Sequence, residues 1–329
     1  MKAVRLSRTG GPEALESVEL PTPVPARGEV LIKTHAIGVA YADILLRTGR
    51  YPWMPALPYV PGNEISGVVV DANGSSRLEE GQPVYLTGWD IGFAGGLYAQ
   101  YVVARDTAPW PLPAGTDLDA AAALMNYIVA KLMMDFGARG AETRSVLLHG
   151  VAGGMGTALS ELARAAGALV IGTAGSDEKC EFARARGVVH VINYRAENVA
   201  DRVLDITSGR GVDIIYNHMA GNSFADDLKM IAPLGLIVSY AALNGMPDEN
   251  LFRQLRGAIN RAPSIRVIGT HAFEKLPAMR EAAFRGAIDL LATRRIEPAT
   301  TMRFALSDAG RAHELMESRR STGKILLKP

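Results

Sequence analysis

The chain has 329 residues, 48% of them hydrophobic and 21% charged, with a formal net charge of +1. That length supports two domains with a core each, and near-neutrality removes the electrostatic case for nucleic acid or an anionic membrane as partner. The one cysteine, Cys180, leaves no intrachain disulfide and no cysteine-rich zinc site; with no apolar leader and no run of transmembrane length, a reducing, cytoplasmic setting is expected.

Taken in order, residues 1–125 read as short strands broken by Gly, Pro, Asn and Asp: MKAVRL, EVLIKTHAIGV, ISGVVVDA, QPVYLTG and LYAQYVVA. Such a run suggests a small antiparallel barrel or sandwich. A helix is expected from Tyr41 to Arg47, before the Pro-rich stretch TGRYPWMPALPYVPG, whose prolines keep it extended or turning. Tyr51, Trp53 and Tyr59 in that stretch are candidates to line a pocket, or simply to pack it.

From Asp119 the texture changes. DAAAALMNYIVAKLMMDFGA has helical spacing, and strand-like and helical runs then alternate through SVLLHG, TALSELARAAG, ALVIGTAG, DEKCEFARARG, VVHVINYR, ENVADRVLDITSG, VDIIYNHMAG, FADDLKMIAP and GLIVSYAAL. This alternation predicts a doubly wound parallel sheet, an α/β Rossmann fold. After residue 262 come a strand (SIRVIGTH) and a long helix (PAMREAAFRGAIDLLATRR) with Met279, Ala283, Ala287, Leu290 and Leu291 on one face. A second helix follows, with Ser307 as its expected N-cap, and then the strand KILLKP. One sheet does not readily absorb this tail, so it is expected to return to the first domain.

Within the parallel region, Gly150, Gly153 and Gly156 follow a buried strand and open a helix. That is the order of a dinucleotide-binding turn: one glycine for the tight bend, one for backbone approach to a pyrophosphate, one for close helix packing. The helix N-terminus supplies unpaired N–H groups to the phosphates. At the end of the second strand, IGTAGS carries no carboxylate to bind a ribose 2′-hydroxyl, while Ser176 and Lys179 suit a 2′-phosphate. NADPH is therefore expected rather than NADH.

The segments GGPEALESVELPTPVPARGEVLIKTHAIGVAYAD, RTGRYP, PGNEISGVV, HGVAGGMG, GTAGSDEKCEFARARG, VINYR and RAHELMESRRSTGKILL, in that order, make the chain resemble the zinc-independent quinone oxidoreductases, the zeta-crystallin-like branch of the medium-chain dehydrogenase/reductases. The resemblance implies a GroES-like β-barrel catalytic domain from both chain ends (1–125 and 262–329), a Rossmann domain at 126–261 and a cofactor cleft at their junction. It implies that Lys179 and Tyr194 hold the 2′-phosphate and that Arg319 reaches the cofactor from the tail. The expected cofactor set is then Gly150, Ala152, Gly153, Gly154, Met155, Gly156, Gly172, Thr173, Ser176, Lys179, Tyr194, Ser239, Tyr240, Ala241 and Arg319. A homodimer joined through Rossmann edge strands is also implied, with SIRVIGTH as the edge.

Zinc-dependent relatives place a Cys near position 40 and a His-Glu pair in the PG-x-E segment; here stand Ala40 and Asn63-Glu64, so no metal is expected. Without one, an acceptor that stabilises its own charge after hydride arrival fits best, a small-molecule quinone or α,β-unsaturated carbonyl, with solvent supplying the proton. Tyr41, Tyr51 and Asn126 are candidates to position substrate or nicotinamide. Quinone oxidoreductases commonly have Asn where Ala40 stands, Tyr at Leu45, and Lys-Gly-Leu-Thr where Asn126-Tyr127-Ile128-Val129 stands, so the adenine end matches the family better than the reacting end. An enoyl-thioester reductase and a non-catalytic, crystallin-like NADPH-binding protein are the competing readings.

Overall fold

The computed structural model describes residues 1–92, 95–141, 143–246 and 250–329. In chain order the elements are β1 (Lys2–Leu6), β2 (Leu15–Glu19), β3 (Glu29–Gly38), α1 (Tyr41–Arg47), β4 (Glu64–Asp71), β5 (Pro83–Thr87), β6 (Tyr101–Arg105), β7 (Trp110–Pro111), α2 (Leu118–Ala121) and α3 (Leu124–Lys131). They continue with β8 (Ser145–Leu148), α4 (Gly154–Ala165), β9 (Leu169–Ala174), α5 (Asp177–Ala185), β10 (His190–Asn193), α6 (Val199–Ile206), β11 (Val212–Asn217), α7 (Ser223–Met230) and β12 (Ile231–Ser239). The last are α8 (Leu251–Gly257), β13 (Ser264–Val267), α9 (Pro277–Ala292), β14 (Thr300–Ala305), α10 (Ala309–Glu317) and β15 (Lys324–Lys328).

The chain divides into two compact units, residues 1–125 with 288–329, and residues 126–287. In the first, a sheet runs β14-β15-β3-β4-β5-β7, with β6 also paired to β3; β1 and β2 form a separate hairpin. β15 from the chain's end lies antiparallel to β3 from its beginning. Val30, Ile32, Ile37, Ile65, Leu86, Ile325 and Leu327 form its core, drawn from both ends of the sequence. β3 shows why: its alternate residues Val30, Ile32 and Thr34 are buried while Lys33 and His35 are exposed, the period of a half-buried strand.

The second unit is a six-stranded parallel sheet, order β10-β9-β8-β11-β12-β13. Counted from β8 this is 3-2-1-4-5-6, with its reversal between β8 and β11. Ser145–Leu148 and all of VDIIYN in β11 are buried, as strands covered on both faces must be.

Several expectations give way to tertiary packing. The return to the first unit, placed at 262, comes only at Ile288, because β13 hydrogen-bonds to β12 over Ser264–Val267 and completes the parallel sheet as its edge. The Ala-rich helix from 119 is broken after α2, where Ala122 packs in a small core with Ala36 and Leu326, and α3 ends in a π-helical turn at Leu132–Gly137. β12 begins at Ile231, before Pro233, and not after it. The buried face of α9 is Ala283, Phe284, Ala287 and Ile288, with Met279, Leu290 and Leu291 only half-buried. Ser307 sits in a short 3-10 turn, and Asp308 takes the cap position of α10.

Candidate functional site

The turn after β8 is built by close backbone approach. Gly150 has φ +66°, and a Cβ there would stand 2.8 Å from Cε1 of His218. A Cβ on Gly156 would lie 2.6 Å from Cα of Val151, and one on Gly172 would lie 2.6 Å from its side chain. These two glycines let α4 and β9 close onto Val151. Gly153 differs: it caps α4 in extended backbone with no side-chain cap, and a Cβ there would meet only Gly150 O at 3.4 Å. The first-turn N–H groups of Gly154, Met155 and Gly156 therefore have no intrahelical acceptor and form an anion cradle at the N-terminus of a 12-residue helix. Ala152 is buried in the turn that leads to it.

Beneath the turn lies a polar chain. Val151 N donates to Thr173 O at 3.0 Å, and Gly150 N to Thr173 Oγ1 at 3.4 Å. Thr173 is 2% exposed, so this residue, and Gly172 with it, supports the turn from below. His149 Nε2 lies 2.7 Å from Oδ1 of the fully buried Asp227, whose other oxygen accepts from Asn217 Nδ2. Sequence reasoning missed Asp227: it sits in an ordinary amphipathic helix, and only the tertiary fold brings it under His149.

At the adenosine end, Ser176 caps α5, accepting from Lys179 N at 3.4 Å. Its hydroxyl also bonds the Glu178 carboxyl, which lies below its ordinary range for that reason first. Asp177 accepts from Asn193 Nδ2 at 2.7 Å. Both nearby carboxylates are thus engaged, and Ser176 serves the helix start more than an open surface. Burial, and then the Arg195 guanidinium, push the Lys179 ammonium below its usual range. Tyr194 is 47% exposed, and its hydroxyl covers Gly175, where a Cβ would collide with it. Lys179, Tyr194 and Arg195 form a donor set whose two cations repel each other, a site that an anion would relieve. Arg195 was missed in the sequence, although its place beside Tyr194 in VINYR was the available signal.

At the end of β12, Ser239 is buried. Tyr240 N donates to Asn217 O at 3.0 Å, and its ring lies 5.7 Å from the His218 ring at 33°. Ala241 follows half-buried. Burial holds the Tyr240 phenol well above its ordinary range. Arg319 stands in the first unit just after α10, in left-handed backbone at φ +55°.

In the first unit, Tyr41 opens α1, and Tyr51 packs edge-on to Trp53, 5.9 Å between centroids at 68°. Asn126 lies in α3 and falls in the second unit. Tyr59 is pushed up to about 12 by burial, then by the charges of Asp43 and Tyr51. Asp43 accepts from Ala40 N at 3.0 Å and from Asn63 Nδ2 at 2.8 Å. Fully buried Glu64 accepts from Tyr85 Oη at 2.9 Å and Met125 N at 2.9 Å, and pairs with buried Lys324. This set does not fit a catalytic zinc: Ala40 has no donor atom, the Asn63 amide is spent on Asp43, and the Glu64 charge is already neutralised. Among the described residues no three His, Cys, Asp or Glu side chains come together to hold a metal.

Two family profiles match: the alcohol dehydrogenase GroES-like domain over residues 26–114 and the zinc-binding dehydrogenase profile over residues 154–293. The Pseudomonas aeruginosa quinone oxidoreductase is 35% identical over 100% of this chain and 99% of its own length. The Rattus norvegicus quinone oxidoreductase is 30% identical over 99% and 97%. The crystal structure of Escherichia coli quinone oxidoreductase complexed with NADPH superposes with a TM-score of 0.87 at 27% identity, covering 100% of both chains. With full-length relatives at this level, the chain belongs to the zinc-independent quinone oxidoreductase family of the medium-chain dehydrogenase/reductase superfamily.

Proposed function

We propose that the protein uses NADPH to reduce a quinone or an α,β-unsaturated carbonyl by hydride transfer, without a metal. The observation that carries this reading is the donor set of Lys179, in the first turn of α5, with Tyr194 and Arg195, just past the end of β10. A 2′-phosphate finds two cations and a hydroxyl there. The N–H groups of Gly154, Met155 and Gly156 hold the diphosphate, with Gly153 giving it room.

When bound, NADPH supplies a hydride from nicotinamide C4. The chain's own residues then position: Tyr41, Tyr51 and Asn126 contact the acceptor or the nicotinamide, and hydrogen bonds to the developing oxyanion lower the barrier. Solvent supplies the proton. A homodimer through β13 belongs to the same reading; it is supported by that strand's edge position and by Val267, 82% exposed. No described helix is long and apolar enough to cross a membrane.

The test is oxidation of NADPH and NADH with a panel of quinones, small enones and an enoyl-thioester. Quinone or enone turnover with NADPH, at least tenfold better in kcat/KM than with NADH, is expected. Turnover confined to the thioester, or NADPH binding without turnover of any acceptor, overturns the assignment.

A further inference from the structure

The first unit contains a buried hydrogen-bonded chain that hydride transfer itself does not need. Asp43, in the first turn of α1, is 1% exposed, and Tyr98 and His313 are each 0% exposed. Asp43 Oδ2 accepts from Ala40 N at 3.0 Å and from Tyr98 Oη at 3.2 Å, and Oδ1 accepts from Asn63 Nδ2 at 2.8 Å. On its other side, Tyr98 Oη lies 3.1 Å from His313 Nε2. His313 Nδ1 is buried and has no partner among the described residues.

A tyrosine has one proton to give. With Asp43 ionised, Tyr98 donates to it and receives from His313, which must carry its proton on Nε2. The bare Nδ1 is then a buried lone pair, and the Tyr98 and His313 protons are both used. With Asp43 protonated, the carboxyl becomes a donor and Oδ2 loses acceptor strength toward Ala40 N–H. Tyr98 must then turn its proton to Nε2, and the His313 proton moves to Nδ1, where no acceptor waits. Proton uptake therefore spoils both ends: the amide that starts α1 is released, and a buried N–H is orphaned.

Ala40 immediately precedes Tyr41, and Asn63 immediately precedes the Glu64–Lys324 pair. Resting on the reductase reading above, we propose that Asp43 is a positioning residue for the acceptor side of the site, and that its ionised form, holding Ala40 N–H, Asn63 and Tyr98 together, is the form that turns over.

Burial raises Asp43 to about 6, against the lowering influence of its hydrogen bonds and of Lys324, which places the change within a working pH range. His313 is pushed down to about 3 by burial and by Arg47, so it stays neutral throughout. The other titratable and charged groups around the chain are Tyr59, whose phenol feels the Asp43 charge, Glu64 beside Tyr98, and the Arg47–Glu317 pair behind His313.

The test uses the full chain. Carbon-13 NMR of its aspartate carboxyls, with Asp43 identified by its loss in an Asp43→Asn variant, is expected to give a midpoint near 6. The Ala40 amide proton should move with the same midpoint, and kcat/KM for NADPH-dependent reduction of a benzoquinone should fall about tenfold per pH unit below it. Tyr98→Phe removes a donor to the carboxylate and should shift both the NMR midpoint and the acid limb of kcat/KM upward by about half a unit. A carboxyl midpoint in the ordinary range near 4, an Ala40 amide that ignores it, or an acid limb unmoved in Tyr98→Phe overturns the proposal. If no acceptor is turned over, the reductase reading falls, while the Ala40 amide still decides whether Asp43 controls α1.

Discussion

The polar groups of the two units are built in opposite ways. In the second unit they are backbone and small residues close in sequence: Gly150, Gly153 and Gly156 shape a turn whose donors are N–H groups. In the first unit they are buried or half-buried side chains from distant parts of the chain, Asp43, Asn63, Glu64, Tyr98, His313 and Lys324. A backbone cradle tolerates change outside its few tight contacts. A buried polar cluster is only as good as its least satisfied member, because each unpaired charge there carries its full desolvation cost.

The largest expected effect tests that difference directly. Lys324→Met leaves Glu64 charged, wholly buried and without its cation, and should cost about 3 to 5 kcal/mol in urea unfolding at pH 7. Adding Glu64→Gln should recover much of the loss. A Lys324→Met variant as stable as the parent would show that Glu64 does not depend on its cation.

Next comes the pH dependence of stability, where Asp43 and His313 act in opposite directions. Asp43, raised in the fold to about 6, gains stability as pH falls from 6 toward its unfolded value, on the order of 3 kcal/mol. His313, lowered to about 3, loses stability as pH falls from about 6.5, by a similar amount at pH 4. The two offset each other in the parent. Asp43→Asn removes only the gain, so between pH 7 and pH 4 it should lose about 2 kcal/mol more than the parent in the same urea measurement. Parallel curves for the two proteins would sink this account.

The smallest effects belong to Lys179 and Arg195 in the second unit, where the fold is not at stake. Lys179→Ala should raise KM for NADPH about 30-fold, roughly 2 kcal/mol for a charge-assisted contact to phosphate, and leave KM for NADH within twofold. Arg195→Ala, more exposed, should raise it about fivefold with the same selectivity. An equal rise for both cofactors would mean that these residues do not face a 2′-phosphate.

Much of the second unit was legible in the residues themselves. Strands buried on both faces announce themselves as apolar runs, as in β8 and β11, and glycines at fixed spacing announce a steric need. The π-helical end of α3 and the early start of β12 were not legible, because local propensity is similar on both sides of each boundary. Gly172 and Thr173 are expected from the sequence in the cofactor region, but the pattern cannot tell a residue facing the turn's open side from one supporting it from below.

Sequence alone determined the alternation of β and α, the glycine turn, the missing zinc ligands and the lack of a carboxylate at the strand end after β9. Each of these is a matter of local period, steric bulk or the presence of a donor atom. The tertiary structure alone decided that β13 completes the parallel sheet. It alone paired Glu64 with Lys324 across 260 positions and set Tyr98 against His313 across 215. Such partnerships leave no periodic trace, because a buried charge chooses its partner by proximity in the folded core, and that proximity exists only once both chain ends have joined one sheet.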